Sequence, residues 1–239
     1  MSFPEKLTAV ILAGGLGTRL RPAVGDCPKV LAPVNNRPFL SYLLDQLSSN
    51  GFSHVILCTG YGTDNISAAF DSVYKGLTIE YSQETKPLGT GGALRNAIPH
   101  IKTDHILVMN GDSYINVDLK SYIDWHFRNC IEVSLLLTQV SDTSRYGRVE
   151  VDKNGLVKQF VEKNEVTTLG WINAGIYISK KRLISQIPAG ESFSLEHDFF
   201  PNLVGKGLHG FQCNDSFIDI GTPESYGKAD QFFKVLETK

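Results

Sequence analysis

Leu7-Thr8-Ala9-Val10-Ile11-Leu12-Ala13 runs directly into Gly14-Gly15-Leu16-Gly17-Thr18-Arg19-Leu20, and the fold turns on how that junction is read. Thr8–Ala13 is aliphatic and β-branched without polar alternation, as a central parallel strand must be when helices cover both of its faces. The glycines behind it allow a sharp turn at the carboxyl end of the strand. They also let backbone N–H groups approach phosphate oxygens with no Cβ in the way. Lys6 and the short apolar run superficially imitate a secretory leader, but glycines and an arginine follow at once and no cleavage site is evident.

Similar runs recur at His54–Thr59, Leu77–Ser82 and His105–Met109. Helical patterns alternate with them. Phe39, Leu40, Leu43, Leu44 and Leu47 share one face of a helix that starts after Pro38 and stops near Asn50-Gly51. Further helices are predicted over Asp64–Phe70 and Gly91–Ile98. Strand and helix in alternation mean a parallel sheet with right-handed crossovers. The second half differs. Ile131–Gln139 reads as a long strand, and Arg148–Val151 and Leu156–Val161 flank Asp152-Lys153-Asn154-Gly155, a hairpin turn signal. Trp171–Ile178 is another strand, Leu195–Leu203 a helix, and Phe217–Ile220 a short strand before a helix over Pro223–Leu236. The expectation is an α/β chain with a mixed, mostly parallel central sheet flanked by helices and a small β-hairpin-containing part. No linker, repeat or low-complexity tract interrupts residues 1–239, which read as a single domain.

The 239 residues include 23 Lys and Arg against 25 Asp and Glu, a formal net charge of −2. So even a balance supplies no strong uniform field for nucleic acid or an anionic membrane surface. No apolar run approaches the roughly 18–20 residues of a membrane span. Hydrophobic content of 42% with 20% charged residues belongs to a folded globule and excludes disorder. Cys27, Cys58, Cys130 and Cys213 lie far apart with no Cys-x-x-Cys pair, which argues against a zinc site or disulfide framework and for reduced thiols in a cytoplasmic protein.

The glycine loop excludes as much as it suggests. Gly15-x-Gly17 leads to Leu20 where a dinucleotide fingerprint wants its third glycine, and no acidic residue near positions 35–38 could hold a ribose. No Gly-Lys-Ser/Thr follows, so it is not a Walker loop. Instead it carries its own cation, Arg19, with a second at Pro28-Lys29. Two cations beside a phosphate cradle suit a triphosphate whose charge must be offset while it reacts; read alone, both could be solvated surface charges. The segment Tyr81-Ser82-Gln83-Glu84-Thr85-Lys86-Pro87-Leu88-Gly89-Thr90-Gly91-Gly92 again ends a strand in a polar loop and opens a helix. A base could lie there, with Gly89 permitting close contact and Ser82 or Glu84 bonding its edge. A carboxylate accepts from adjacent N–H donors, so Glu84 suits guanine better than uracil. The alternative is a helix start capped by Thr90.

Asn110-Gly111-Asp112-Ser113 and Phe217-Ile218-Asp219-Ile220-Gly221-Thr222-Pro223 each set an aspartate at a strand end, the edge where ligands of open α/β sheets gather. Only the fold can join two residues so far apart in the chain. Converging on phosphates they would hold magnesium, which takes a few carboxylates plus phosphate oxygens and water; each alone would simply cap a turn. Phe160-Val161-Glu162-Lys163 and Trp171-Ile172-Asn173-Ala174-Gly175-Ile176-Tyr177 place polar and aromatic groups on adjacent strands, as a sugar phosphate requires. Trp171 serves equally well as core.

Together these segments resemble the sugar-phosphate nucleotidylyltransferase family (the NDP-sugar pyrophosphorylases) over nearly the whole chain and in the family's order. The resemblance extends to Leu88-Gly89-Thr90-Gly91-Gly92, Tyr146-Gly147, Asn173-Ala174-Gly175, Ser194-Leu195-Glu196-x-Asp198 and Asp219-Ile220-Gly221-Thr222. It implies a Rossmann-like nucleotidyltransferase fold and the reaction NTP + sugar 1-phosphate → NDP-sugar + pyrophosphate. About 1–130 would be the nucleotide-binding half and about 131–239 the sugar-phosphate half, with no C-terminal β-helix for acyl transfer. Leu12, Gly14, Gly15, Gly17, Thr18, Ser82, Glu84, Gly89, Thr90 and Gly111 would line the nucleotide. Arg19 would hold the leaving pyrophosphate, Lys29 span the phosphates, and Asp112 and Asp219 bind Mg2+. Lys163 would grip the sugar phosphate, with Glu162, Asn173, Gly147 and Gly175 on the sugar. The attacking group is already an anionic phosphate oxygen, so positioning and charge neutralisation matter more than a strong base. Val30 and Asn164 stand where the family often has proline, and Ala23-Val24-Gly25-Asp26-Cys27 lacks the usual Leu-Thr; these departures bear on loop shape more than on chemistry.

Within the family, the Leu-Ala-Gly-Gly-Leu-Gly-Thr-Arg-Leu loop, the Tyr-Ser-x-Glu segment and Asn-Gly-Asp-Ser look most like the D-glycero-α-D-manno-heptose 1-phosphate guanylyltransferases, which make GDP-heptose for bacterial surface glycans. Mannose-1-phosphate guanylyltransferases and N-acetylmuramate-1-phosphate uridylyltransferases are the nearest alternatives. GTP and the heptose ester are therefore the expected partners, without nucleic acid or membrane, and with homo-oligomerisation left open. A different class, a regulatory subunit of this fold that binds nucleotide-sugar without turnover, is disfavoured by the joint presence of Arg19, Lys29, Asp112, Lys163 and Asp219.

Overall fold

Strand β1 (Leu7–Leu12) lies inside a sheet of ten strands in the computed structural model, counted among the described residues, 3–161 and 169–238. Its side chains enter two cores: Leu7, Ala9 and Ile11 pack on one face of the sheet and Val10 on the other. Burial on both faces is why the strand is apolar without alternation. To one side lie β2 (His54–Thr59) and β3 (Leu77–Gln83), parallel to it, with Val73–Tyr74 antiparallel at the edge. To the other side lies β4 (His105–Asn110), also parallel. Helices α1 (Leu40–Ser49), α2 (Thr63–Phe70) and α3 (Gly89–Asn96) accompany these strands. Leu40, Leu43, Leu44 and Leu47 of α1 are buried, as their spacing predicts. The third helix begins at Gly89 rather than Gly91 and gives way to a 3-10 turn at Ile98–His100, where Pro99 has no N–H to continue an α-helical ladder.

After β4 come β5 (Ser113–Ile115) and α4 (Leu119–Arg128), two elements not predicted from the sequence. The buried face of α4 is Leu119, Tyr122, Ile123 and His126, a helical spacing, and Asp118 caps it by accepting from the Lys120 N–H at 3.0 Å. The second half supplies β6 (Val133–Val140), β7 (Arg148–Val151), β8 (Val157–Val161), β9 (Gly170–Lys180), β10 (Leu208–Cys213) and β11 (Phe217–Asp219). The hairpin of β7 and β8 forms where Asp152–Gly155 predicts it. One edge of β9 pairs with β4 through Ile176–Lys180 and with β7 at Ile172, and its other edge carries β6, which carries β10 in parallel.

Register in β9 breaks between Asn173 and Tyr177. Gly175 there has φ 81°, and a Cβ on it would lie 2.4 Å from Ser113 Oγ, so the position admits only glycine. The small antiparallel pair β5–β11 aligns Ser113 with Asp219, and the Ile220 N–H donates to the Asp112 carbonyl at 2.9 Å. That pairing is what joins two aspartates distant in sequence. The helix predicted over Pro223–Leu236 is two helices, α5 (Pro223–Tyr226) and α6 (Ala229–Glu237), separated around Gly227-Lys228. Phe233 of α6 stacks on Tyr42 at 3.7 Å between centroids, fastening the segment that follows Asp219 onto α1. The predicted Leu195–Leu203 helix is a π-turn, Leu195–Phe199, continued by an α-turn, Phe200–Leu203. Among the described residues, no helix is long and apolar enough to cross a membrane.

Candidate active site

The carboxyl ends of β1 and β4 and the loop that follows β3 line a cavity of about 500 Å³, which shares walls with a second chamber of about 380 Å³. Arg19, Asn110, Asp112, Arg145, Tyr146 and Asn173 line both. Of the predicted nucleotide residues, Leu12, Gly14, Gly15, Glu84, Gly89 and Thr90 line the first chamber. Lys29 lines it as well, and Asp219 lines the second. Gly147 and Asn173 are on the first chamber's far wall, and Gly175 on the second's. Glu162 and Lys163 lie outside the described residues.

Four of the predicted nucleotide residues, Ser82, Gly111, Gly17 and Thr18, line neither chamber. Ser82 is buried and accepts from Asn96 Nδ2 at 3.1 Å beneath α3, the face to which alternation along β3 turns it. Gly111 is a packing residue: its N–H donates to the Leu12 carbonyl at 2.9 Å, and a Cβ would meet that oxygen at 2.6 Å. Gly17 and Thr18 line neither chamber; Gly17 instead closes the turn that leads to Leu20, accepting its N–H at 2.9 Å. Trp171 packs partly buried against the second core, the role that the sequence equally allows.

Charge is concentrated where the chambers meet. Lys29 Nζ donates to Asp112 Oδ2 at 2.5 Å. Asp219 accepts from the Gly221 N–H at 2.8 Å and from the Tyr146 hydroxyl, with Arg145 Nη2 at 3.4 Å. Gly221 marks the centre: a Cβ there would lie 2.7 Å from Asp219 Oδ1, 3.5 Å from Lys29 Nζ and 3.9 Å from Arg19 Nη2. Two cations and the Asp219 carboxylate thus surround a point kept open by a missing methyl, and Asp112 joins them through Lys29. Among the described residues no group of three or more His, Cys, Asp or Glu side chains is arranged to hold a metal. Two carboxylates fit a hard cation that takes its remaining ligands from phosphate and water.

The loop after β3 carries a half-buried carboxylate. Glu84 Oε2 accepts from the Leu88 N–H at 3.2 Å, and burial pushes its carboxyl above the ordinary range, outweighing that bond. Thr90 does not cap α3. Its hydroxyl donates to Glu196 Oε2 at 2.7 Å and accepts from the Leu195 N–H at 2.8 Å, tying the loop to the π-turn. Glu196 also stands 3.4 Å from the Tyr177 hydroxyl, which accepts from Asn173 Nδ2 at 3.1 Å. This wall is hydroxyl, amide and carboxylate, suited to a polyol. Arg145, Tyr146, Glu196, His197 and Gly221 were given no role from sequence. Tyr146, Glu196 and Gly221 stood within segments that the resemblance quotes, and Arg145 and His197 stand next to them.

A family profile described as nucleotidyl transferase matches residues 8–235. The chain is 38% identical over 226 residues to a D-glycero-alpha-D-manno-heptose 1-phosphate guanylyltransferase of Aneurinibacillus thermoaerophilus, covering 94% of this chain and 97% of that one. It is also 38% identical over 232 residues to a mannose-1-phosphate guanylyltransferase of Mycobacterium tuberculosis, covering 95% of this chain and 65% of that one. The crystal structure of HddC from Yersinia pseudotuberculosis shares 36% identity at a TM-score of 0.85, covering 95% of this chain and 99% of that one. A second crystal structure of HddC is of its complex with GMP-PN.

Proposed function

This chain belongs to the nucleotidyl transferase family, and from that premise we propose that it transfers a guanylyl group from GTP to D-glycero-α-D-manno-heptose 1-phosphate. The products are GDP-heptose and pyrophosphate. The observation that carries the reaction is the convergence of Arg19, Lys29, Asp112 and Asp219 about Gly221. A phosphate oxygen of the sugar ester attacks the α-phosphorus of GTP, a new P–O bond forms, and the bond to the bridging oxygen of pyrophosphate breaks. No proton need move, so catalysis rests on alignment and charge.

Each side chain then has a task. Lys29 shifts from Asp112 to the incoming phosphates, and Arg19 holds the departing pyrophosphate. Asp112 and Asp219 would hold a magnesium ion, which when bound supplies charge neutralisation at the phosphates. Gly14 and Gly15 let the triphosphate approach the backbone, and Glu84 accepts from the guanine edge. Gly147, Asn173 and Gly175 face the sugar, with Glu162 and Lys163 proposed for sugar and phosphate. A reaction that consumes nucleoside triphosphate suits the cytoplasm, and its product class suits surface-glycan assembly.

The choice of sugar is supported by the heptose guanylyltransferase likeness over 97% of that relative. Mannose 1-phosphate is the second reading, favoured by equal identity to the mycobacterial enzyme. The test is magnesium-dependent pyrophosphate release with GTP, UTP, CTP, dTTP and ATP against heptose, mannose, glucose and N-acetylmuramate 1-phosphates. Release with GTP and the heptose ester is expected. Release only with UTP would overturn the reading of Glu84, and silence across the panel would overturn the reaction.

A further inference from the structure

Both carboxylates of the candidate cation site are already engaged by the chain's own donors, but in unequal ways. Asp112 accepts from Lys29, an ammonium on a long aliphatic stem that can swing to a phosphate when one arrives. Asp219 is held more firmly. Its Oδ2 accepts from the Tyr146 hydroxyl; its Oδ1 accepts from the Gly221 N–H at 2.8 Å and the Ser225 hydroxyl at 3.3 Å. Arg145 shares one guanidinium nitrogen among Asp219 Oδ1 at 3.4 Å, Thr222 Oγ1 at 3.0 Å and Ser225 Oγ at 3.3 Å.

Tyr146 has little room to leave unprompted. Its ring is half-buried and packs edge-on against Phe217 at 5.7 Å, with the Arg145 guanidinium 5.7 Å from its centroid. The next residue, Gly147, is on the wall proposed for the sugar, and its carbonyl accepts from the Asn173 N–H at 3.3 Å. One short segment therefore touches the cation ligand at Tyr146 and the sugar wall at Gly147. The phenol hydrogen and a divalent cation would compete for Oδ2, because each takes the same lone pairs.

We infer that Tyr146 is a positioning residue for the transfer: its hydroxyl holds Asp219 back from the cation and yields it when a sugar phosphate settles against Gly147 and Asn173. The inference rests on the proposed function and deepens it, coupling cation affinity to the second substrate. Such coupling is reciprocal, so each ligand tightens the other by the same factor.

The test is Mn2+ binding followed by electron paramagnetic resonance on the wild type, Tyr146→Phe, Asp219→Asn and the double variant, each first checked for a wild-type melt. With Mn2+ alone, Tyr146→Phe should bind about tenfold more tightly than the wild type, the scale of releasing a hydrogen bond to a charged acceptor. The gain should vanish in the double variant. Heptose 1-phosphate should tighten Mn2+ binding severalfold in the wild type and hardly at all in Tyr146→Phe. Half-saturating Mg2+ for pyrophosphate release should fall in that variant. Arg145→Met should move Mn2+ affinity the same way by less, a second reading should Tyr146→Phe fold poorly.

Equal or weaker Mn2+ binding in Tyr146→Phe overturns the inference, since the hydroxyl would then be building the site instead of guarding it. If the wild type releases pyrophosphate while that result holds, the reaction stands and only the inference falls. If no substrate pair releases pyrophosphate yet Tyr146→Phe still gains Mn2+ affinity through Asp219, the reaction falls and the guarding contact stands.

Discussion

Gly221→Ala is the sharpest probe of the site. The glycine has no left-handed backbone to protect, so alanine is tolerated conformationally. Its new methyl would start 2.7 Å from Asp219 Oδ1, where ordinary contact begins at 3.4 Å, and must push that oxygen by about 0.7 Å. The carboxylate cannot swing freely, because the Gly221 N–H and the Tyr146 hydroxyl hold it. The methyl would also come into ordinary contact with Lys29 Nζ at 3.5 Å and Arg19 Nη2 at 3.9 Å. Misplacement approaching 1 Å in a site that works by alignment costs about 10²-fold, or about 2.7 kcal/mol of transition-state stabilisation. The variant should therefore lose about two decades of kcat/KM in pyrophosphate release while melting within a few degrees of the wild type. Wild-type turnover in a normally folded variant would refute the argument that the reacting phosphates occupy this junction. Joint loss of turnover and melt would refute the claim that the glycine serves the site rather than the fold.

Asp112→Asn and Asp219→Asn should each lower turnover by orders of magnitude with an unchanged melt, and near-normal rates in both would end the magnesium assignment. Glu84→Gln replaces an acceptor-only group by one that also donates; about a tenfold fall in kcat/KM with GTP and little change with UTP is expected from paired initial-rate assays. His126 is buried beside His105, and burial first, then the neighbouring positive charges, pull its pKa down from 6.5 to about 3. Only the unfolded chain then binds its proton between those values, so stability present above pH 6.5 is lost on acidification at about 1.4 kcal/mol per pH unit. Urea unfolding at pH 7 and pH 5 should show a loss of about 2 kcal/mol from this group, absent in His126→Phe; an identical pH slope in that variant would show that another group carries the acid sensitivity.

The parallel half of the fold was legible because its strands are covered on both faces. Ala9–Ala13 and Val55–Cys58 are unbroken apolar runs, and a strand so composed has few other places to go. The β7–β8 hairpin was legible because Asp152 and Gly155 do turn chemistry, with Gly155 at φ 80° and its N–H donating to the Asp152 carbonyl at 2.9 Å. Glycines misled where their purpose was packing. The Gly91 N–H donates to the Phe193 carbonyl at 2.8 Å, and a Cβ on Gly92 would meet the Glu191 carbonyl at 2.6 Å, so part of the Gly-Thr-Gly-Gly run exists to admit another backbone. Sequence does not distinguish that approach from the approach of a phosphate. Ser82 departs for a related reason: alternation along β3 turns it towards Asn96 of α3, and sequence alone does not say which face of the strand meets the cavity.

The chemistry depends on a contact that no local pattern could announce. Asp112 stands at the end of β4, within the parallel half, whereas Asp219 arrives from β11, after the whole second half has been threaded. The three-residue pairing of β5 with β11 aligns them, and the stacking of Phe233 on Tyr42 secures the chain just beyond. Between these two aspartates the chain also delivers Arg145 and Tyr146, which engage Asp219, and Gly147 and Asn173, which form the opposite wall. A loop-borne carboxylate costs conformational entropy to fix. Here the cost is met by strand hydrogen bonds, a Thr222–Ser225 capping box and an aromatic stack rather than by the site's own ion pairs. That division leaves the charges at the junction free to exchange partners. On the proposed function, Lys29 would pass from carboxylate to phosphate, and Asp219 from phenol to cation, with these supports of the fold left in place.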